Sequence, residues 1–436
     1  MHSLLLKKEK RMVVVERTNK HRRTATLLSI IPGFGQFYNK QIVKGIIFLV
    51  FAIAFVIVSF DFVSVGIWGL VTLGTELPRD NSVFLLAEGI IAFIIMGFGV
   101  GFYLINLKDA NENGKRRDNG EEPANIVKSY HNLLDAGYPY LISSPAFILL
   151  IFSVIFPLVF SALVAFTNYD LYHSAPANLA DWVGLETFMK IFTVDIWRST
   201  LFNVLGWTII WTLVASTLQV AIGVFLAVLV HQRGVKFKKF IRTMLILPWA
   251  VPGFVTILIF GALFNDSFGA INNQLLAFLN VSPIPWLNDP LWTRIALIMI
   301  QSWLGFPYIF VVTTGVLQSI PDELYEAAVI DGAGSFQMFR RITFPLIMTA
   351  MSPIIITQYT MNFNNFNIIY LFNGGGPAVA GSTAGGTDII VSWIYKLTTQ
   401  NSQYALAAAL TIFVSVIVVS IALWQFRRTK SFKETV

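Results

Sequence analysis

The chain has 436 residues, of which 55% are hydrophobic and only 13% are charged. An ordinary soluble domain carries about 25% charged residues, so this chain has too few charges to cover a soluble surface. The composition excludes an ordinary soluble domain and a disordered chain, and it favours a protein that crosses a membrane several times. The absence of cysteine excludes disulfides, thiolate metal sites and a cysteine nucleophile.

Apolar segments long enough to cross a bilayer recur along the chain, since a spanning helix needs about 20 mostly apolar residues. The sequence predicts eight of them, near residues 45–62, 83–105, 141–166, 201–230, 243–264, 293–317, 344–371 and 404–426. A shorter apolar piece, residues 27–38, is broken by Pro32, Gly33 and Gly35 and is expected to be interfacial or re-entrant. The predicted fold class is an all-α, polytopic integral membrane protein.

The basic residues are distributed unevenly between the two sets of loops. Most of the 31 lie before residue 45, in residues 107–139, 231–242 and 318–343, and after the last span. The opposite side holds Arg79, Lys190, Arg198, Arg294 and Lys396. By the positive-inside rule, this asymmetry predicts that both termini are cytoplasmic. The net charge of +7 is interpreted as a topology signal with attraction to anionic membrane lipid, and no nucleic acid partner is expected.

The N-terminal third is predicted to form a unit of its own. Residues 111–122 (NENGKRRDNGEE) are charged and rich in Asn and Gly, which predicts a flexible connector. We therefore place an N-terminal two-span domain at residues 1–137 and a six-span core at residues 138–436. No cleavable signal peptide is expected. Residues 32–45 (PGFGQFYNKQIVKG) are interpreted as a structural entry to the first span.

Signals for catalysis or direct energy coupling are missing from the sequence. The five histidines lie far apart, without the spacing of a metal site, and no phosphate-binding loop of the G-x-x-x-x-G-K-[ST] type is present. Glu88 is the clearest acid within a predicted span, and its position near one end favours an interfacial role. A proton-coupled carrier would need a relay of buried acids or histidines, so the energy for transport is expected from elsewhere.

The predicted cytoplasmic loop at residues 318–345 contains the sequence PDELYEAAVIDGAGSFQMFRRITFP. Pro321 followed by two acids suits the first turn of a helix, since proline lacks an N–H and acids favour the positive helix end. Gly332 and Gly334 should end this helix, and Ser335 should cap a second one that ends near Thr343. The pattern predicts a helix–turn–helix on the membrane surface. An ordinary loop with two amphipathic helices is the alternative.

This loop resembles the EAA motif of permeases from ATP-binding-cassette (ABC) type I importers. The matching residues are Glu326, Ala327, Ala328, Asp331, Gly332, Ala333, Ile342 and Pro345, whereas Phe344 replaces the usual leucine. The resemblance implies that Glu326, Ala327, Ala328, Asp331 and Gly332 couple the chain to a separate ATPase. That ATPase would bind ATP and Mg, so no cofactor is expected in this chain.

Two polar helix faces predict a ligand site near the middle of the membrane. At helical spacing, the sixth span presents Gln301, Leu304, Gly305 and Tyr308, and the seventh presents Gln358, Met361, Asn362 and Asn365. Pro307 is expected to interrupt the sixth helix. Neutral amides and an aromatic ring suit a neutral polyhydroxylated ligand. The alternative is hydrogen bonding between helices, which we prefer for Asn364 and Asn367.

The segments WLGFPY and NFNNF are similar to those of maltose/maltodextrin permeases of the MalF type, and the resemblance covers residues 139–426. It implies sugar contact for the eight residues on the two polar faces, although Met361 stands where an aromatic is usual. It further implies a second permease chain of the MalG type, a dimeric ATPase of the MalK type and an extracytoplasmic sugar-binding protein. Residues 373–386 are expected to contact that binding protein, with a flexible loop as the alternative.

The sequence therefore predicts a permease subunit of an ATP-driven maltose/maltodextrin importer in the cell membrane, and not an enzyme. Another oligosaccharide, such as a cyclodextrin or a trehalose-like disaccharide, is an alternative substrate. An ion- or proton-coupled sugar carrier and a membrane enzyme acting on lipid-linked sugar are alternatives of other classes.

Overall fold

A computed structural model of the chain describes residues 19–135, 137–232 and 234–428. Apart from two isolated β-bridges, the regular structure of these residues is helical. Contacts divide the chain into two compact units, Met1–Val183 and Gly184–Val436. The functional boundary predicted near residue 137 stays a prediction.

The first unit contains seven labelled helices within its described part. They are α1 (Lys20–Leu28), α2 (Phe34–Tyr38), α3 (Ile42–Thr72), α4 (Ser82–Asp118), α5 (Ile126–Asp135), α6 (Tyr138–Leu150) and α7 (Phe156–Val164), with a π-helical turn joining α6 to α7. Small residues let α3 and α4 approach closely. A Cβ added at Gly66 would lie 2.8 Å from the Cβ of Ala92, so glycine is required at this crossing.

The predicted flexible connector is wrong over its first part, because α4 continues to Asp118. Tertiary contacts stabilise this polar end of the helix. The Asp118 carboxylate accepts hydrogen bonds from the backbone N–H groups of His21 and Arg22, both at 2.9 Å. Asn113 is buried and accepts a bond from the backbone of Ala124 at 2.8 Å. The charged composition alone gives no sign of these partners.

The second unit contains α8 to α18 within its described part. They are α8 (Glu186–Thr193), α9 (Asp195–His231), α10 (Lys238–Ile246), α11 (Gly253–Leu263), α12 (Pro290–Ser319), α13 (Asp322–Ile330), α14 (Ser335–Met338), α15 (Phe344–Phe363), α16 (Phe366–Asn373), α17 (Ile390–Thr399) and α18 (Tyr404–Arg428). The long helices α9 and α12 form its centre. One apolar cluster lies around Trp207, Trp211 and Ile300, and a second around Phe306 and Phe310.

Helices of spanning length and composition confirm the all-α, polytopic class. Within the described residues, six candidate spans are Ile42–Thr72, Ser82–Asp118, Tyr138–Val164, Asp195–His231, Pro290–Ser319 and Ser335–Asn373. A pair bent by 87°, Lys238–Ala250 and Gly253–Leu263, gives up to seven. The predicted eighth segment lies on α18, which is apolar over Tyr404–Ser420. The count of eight and the cytoplasmic termini stay predictions.

The helix breaks lie at positions other than the predicted one. Pro307 was expected to interrupt the sixth span, but α12 runs through it without a break. Proline removes one backbone hydrogen bond, and burial of the neighbouring Phe306 and Ile309 stabilises the continuous helix. The seventh span is broken instead, between α15 and α16 at Asn364 and Asn365.

Candidate functional site

Five neutral polar side chains from three helices form a buried amide cluster. Its members are Ser216 and Gln219 on α9, Gln301 on α12, and Gln358 and Asn362 on α15. The amide of Gln301 donates to Asn362 Oδ1 at 2.9 Å, and Asn362 donates to Ser216 Oγ at 2.8 Å. Gln358 donates to Gln219 Oε1 at 2.5 Å. The structure thus brings three of the predicted residues together and links them to α9.

The amide cluster is closed to solvent but retains an unused donor. Asn362 is 1% exposed, and Gln219 is fully buried. Among the described residues, nothing accepts a hydrogen bond from Gln219 Nε2. A buried amide donor without a partner costs roughly 1–3 kcal/mol. The site therefore has hydrogen-bonding capacity for one more acceptor, such as a hydroxyl.

Gly305 and Trp211 fix the geometry of the amide cluster. A Cβ added at Gly305 would overlap the Gln219 side-chain amide and lie 2.7 Å from its Cγ, so only glycine lets α12 approach α9 here. The indole N–H of Trp211 donates to the backbone oxygen of Asn362 at 2.9 Å. That carbonyl lies in the last turn of α15, where helix carbonyls lack intrahelical partners.

The other predicted site residues form a more exposed set. Leu304, Tyr308 and Asn365 are half-buried, and Met361 is 63% exposed. The Tyr308 ring lies 5.6 Å from the ring of Trp249, centroid to centroid. We call Leu304, Tyr308, Met361 and Asn365 the rim residues. Within this chain they offer apolar, aromatic and amide surface that other molecules can contact.

The prediction that Asn364 and Asn367 bond neighbouring helices was wrong for the described part of this chain. Both side chains are exposed, and the Asn364 amide donates only to Thr360 on its own helix, at 3.4 Å. The helix ends at Phe363, so these amides lie beyond the packed face of α15. The hydrogen bonds between helices belong to the amides that were assigned to ligand contact.

Sequence reasoning missed Ser216, Gln219, Trp211 and Trp249. Ser216 and Gln219 lie three residues apart inside the apolar span of α9, in the sequence LVASTLQVA. Polar residues within a span usually face the bundle interior, which is the signal that could have found them. Trp249 gave no such signal, because its segment is apolar throughout.

The predicted coupling loop forms two short helices joined at a glycine turn. The N–H of Ala333 donates to Ala328 O at 2.9 Å and that of Gly332 donates to Val329 O at 3.0 Å, the two bonds of a Schellman motif. Gly332 has φ +78°, which explains the glycine. Ser335 was expected to cap the second helix, but Gly334 occupies the cap position, and its N–H donates to Gln337.

The coupling loop presents an uncovered apolar surface. Glu326, Ala327, Asp331 and Gly332 are exposed, and Ala328 is half-buried. Exposed beside them are the large apolar side chains Leu324, Val329, Ile330 and Phe336, with Ile330 86% exposed. Tyr325 on α13 forms a hydrogen bond at 3.0 Å with Thr343, the residue directly before α15. Exposed apolar clusters of this kind mark surfaces that bind a partner.

Residues 373–392, which include the loop of the predicted binding-protein contact, form a hydrogen-bonded structure rather than a flexible loop. Arg294 Nε donates to Gly386 O at 2.9 Å, and its guanidinium lies 4.6 Å from the Trp207 ring centroid. Asp388 is buried and pairs with Lys396 and Ser392. Burial raises the pKa of Asp388, and the attraction of Lys396 only partly opposes this.

These features define a helical protein that crosses the membrane several times and carries a buried polar cluster. Residues 219–431 match the family described as binding-protein-dependent transport system inner membrane component. The chain is 66% identical to the galactooligosaccharides transport system permease protein GanP of Bacillus subtilis, over 95% of this chain and 99% of that protein. It is 50% identical to the maltodextrin transport system permease protein MalC of Streptococcus pneumoniae, over 94% of this chain and 96% of that protein.

The chain therefore belongs to the family of binding-protein-dependent transport system inner membrane components, and the predicted resemblance to ABC importer permeases is confirmed. It is also 39% identical to the maltose/maltodextrin permease MalF of Escherichia coli, over 57% of this chain and 49% of that protein. A solved bacterial alginate ABC transporter, in complex with a pentasaccharide-bound periplasmic protein, matches 68% of this chain and 94% of its own with a TM-score of 0.56. At 20% identity that likeness shows the fold alone.

Proposed function

We propose that this chain forms half of the translocation pathway of an ATP-driven importer for neutral oligosaccharides. The amide cluster is the observation that carries this proposal, because it joins three membrane helices through neutral donors and acceptors. Such groups bond sugar hydroxyls without requiring a charge on the ligand. Relatives over nearly the full chain are permeases named for the transport of galactooligosaccharides and maltodextrin, which supports a neutral oligosaccharide as the substrate.

Maltodextrins are the substrate class predicted from the sequence, and the relatives named for maltodextrin transport support it. Galacto-oligosaccharides are the second candidate, favoured by the 66% identity to GanP over almost the whole of both chains. Both are neutral chains of hexoses, so both suit the amide cluster. Among the names of these relatives, none supports a cyclodextrin, a trehalose-like disaccharide or an ion-coupled carrier.

The amide cluster and the rim residues have different parts in this proposal. The rim residues contact the sugar, with the Tyr308 ring against its C–H surface and Asn365 bonding hydroxyls. The buried amides of Gln301, Gln358 and Asn362 hold the three helices in register, and the free N–H group of Gln219 bonds an entering hydroxyl. Gly305 belongs to the site through the close approach of α12 and α9 that it permits.

The coupling loop receives the movement that ATP hydrolysis drives in a separate ATPase dimer, which binds the ATP and Mg. Glu326, Ala327, Ala328, Asp331 and Gly332 form the docking surface in this proposal, supported by their exposure and by the uncovered Ile330 and Phe336. A second permease chain completes the pathway, and an extracytoplasmic binding protein delivers the sugar. Both termini then lie in the cytoplasm, as the distribution of basic residues predicts.

The test is uptake of labelled maltotriose and labelled galactotriose by cells with and without this chain. Each sugar is competed with unlabelled maltodextrins, galacto-oligosaccharides, cyclodextrin and trehalose. We expect uptake of one linear oligosaccharide to require the chain and cellular ATP, and to survive an ionophore that collapses ion gradients. Uptake that the ionophore abolishes while ATP is maintained would contradict ATP-driven import. The preferred competitor decides between the two sugar classes.

A further inference from the structure

Residues 19–45, which we call the N-terminal segment, are held against the polar end of α4 by buried contacts. A Cβ added at Gly114 on α4 would lie 2.7 Å from the Cα of Arg22, so the two backbones touch there. The side chain of Asn106 accepts from Gly33 N at 3.2 Å and donates to Ser29 O at 2.9 Å. Asp109 pairs with the buried Lys44 at 2.8 Å. This segment therefore has a fixed position on α4.

The surface of this segment changes from basic to apolar along its length. The first turn of α1 carries Lys20, His21, Arg22 and Arg23. Its far end and the following turn expose Leu27, Leu28, Ile30 and Ile31, with Leu27 66% exposed. In a protein that crosses a membrane, such a gradient matches the step from the headgroup layer to the hydrocarbon.

A cavity of about 500 Å³ opens where the basic and apolar parts meet, lined by Asn19, Arg22, Arg23, Thr26, Leu27 and Asn111. Arg22 Nε donates to Asn111 Oδ1 at 3.1 Å, which positions the guanidinium, and no other described residue accepts a hydrogen bond from its terminal nitrogens. The nearby Asp118 bonds backbone N–H groups instead. Among the described residues, neither Arg22 nor Arg23 forms an ion pair, and both are exposed.

We propose that this cavity binds the headgroup phosphate of an anionic phospholipid, with the acyl chains along Leu27, Ile30 and Ile31. Arginine forks match phosphate oxygens in geometry and charge. The apolar surface beside the cavity distinguishes a lipid from a free phosphate, since a free anion gains nothing from it. The lipid would then hold α1 and the turn that follows it against the membrane surface.

The experiment uses the purified full-length chain in detergent, with photoactivatable phosphatidylglycerol as the probe and peptide mapping of the crosslinked residues. We expect crosslinks within residues 19–34. Each basic side chain near a membrane surface contributes about a fivefold factor in affinity. The double variant Arg22→Gln/Arg23→Gln should therefore need about 25-fold more lipid for the same crosslinking. Arg79→Gln, which changes an exposed arginine in the loop between α3 and α4, is the matched control.

Two competition arms test the kind of ligand. Unlabelled phosphatidylglycerol should displace the probe, whereas glycerol phosphate and phosphatidylcholine should not at the same concentration. Equal crosslinking by the double variant would overturn the site, and displacement by glycerol phosphate would overturn the lipid as its ligand. If the double variant fails to fold, Arg23→Gln alone should still need about fivefold more lipid, because the hydrogen bond to Asn111 comes from Arg22 and is kept.

Discussion

The turn of the coupling loop allows a prediction in which two neighbouring glycines serve as test and control. Gly332 has φ +78°, whereas Gly334 has φ −75° and ψ 162°. A Cβ added at either position meets no atom within 4 Å, so neither site is sterically crowded. The two sites differ in backbone conformation, and Gly334 also occupies the N-cap of α14. A non-glycine residue in the left-handed region costs about 1–2 kcal/mol.

Gly332→Ala should therefore lower the equilibrium constant for the formed turn by about 5- to 30-fold. Gly334→Ala should lower it less, because its backbone conformation is an ordinary one and only the N-cap preference for glycine over alanine is lost. If docking of the ATPase requires the turn, its affinity for the solubilised complex should fall by the same factor. The assay is titration of the ATPase against the purified permease pair, with uptake measured in parallel. Gly332→Pro should abolish both, because proline excludes this φ and removes the N–H that bonds Val329.

Equal ATPase affinity in the Gly332→Ala and Gly334→Ala variants, at equal chain levels, would refute this reasoning. It would mean that the turn re-forms at no cost on the ATPase, or that the exposed apolar residues dock without it. A loss of affinity as large in Gly334→Ala as in Gly332→Ala would instead point to the glycine surface itself as the contact.

The buried residues Asn362, Gly305 and Asp388 can each be tested by substitution. Asn362→Ala removes the partners of Gln301 and Ser216, and should lower uptake per complex at least tenfold, while Asn364→Ala should not. Gly305→Ala should lower the free energy of unfolding by about 1–3 kcal/mol, as measured by thermal unfolding, whereas Gly315→Ala, which faces open space, should not. The stability of the Asp388 region should be highest in acid and be lost as pH rises from about 3.8 through its raised pKa, and Asp388→Asn should remove this slope.

Each of these predictions has an outcome that contradicts it. Unchanged uptake per complex with Asn362→Ala would remove the amide cluster from transport. Equal melting temperatures for the Gly305 and Gly315 variants would mean that α12 and α9 separate easily at Gln219. A pH slope retained in Asp388→Asn would assign that slope to other groups.

The sequence predicts most of the helices because a bilayer demands long apolar segments, and it predicts the coupling turn because Gly332 tolerates a conformation that other residues avoid. It fails where the stabilising partner lies far along the chain. Residues 111–118 have the composition of a loop, yet contacts with α1 keep them helical. A proline at position 307 predicts a helix break, yet packing keeps α12 continuous.

In the candidate site, too, the sequence predicts what one segment determines and misses what depends on distant partners. Spacing on α12 and α15 identified Gln301, Gln358 and Asn362, because a single helix face can be read from one segment. Their partners on α9 could not be matched to them, since hydrogen bonds between helices depend on which helices are neighbours. The rim residue Met361 and the ring pair of Tyr308 with Trp249 depend on tertiary structure in the same way.

The internal hydrogen bonds of the amide cluster are compatible with a transport site, because amides in a membrane must bond one another whenever no sugar is present. Substitutions of the rim residues therefore distinguish sugar contact from contact between helices. Asn365→Ala removes a half-buried amide beyond the end of α15 and should raise the KM for sugar without lowering thermal stability. Asn362→Ala should change both, since its bonds join three helices. If Asn365→Ala leaves KM unchanged while Asn362→Ala lowers stability and uptake together, the predicted polar faces hold helices together, and the sugar contacts lie elsewhere.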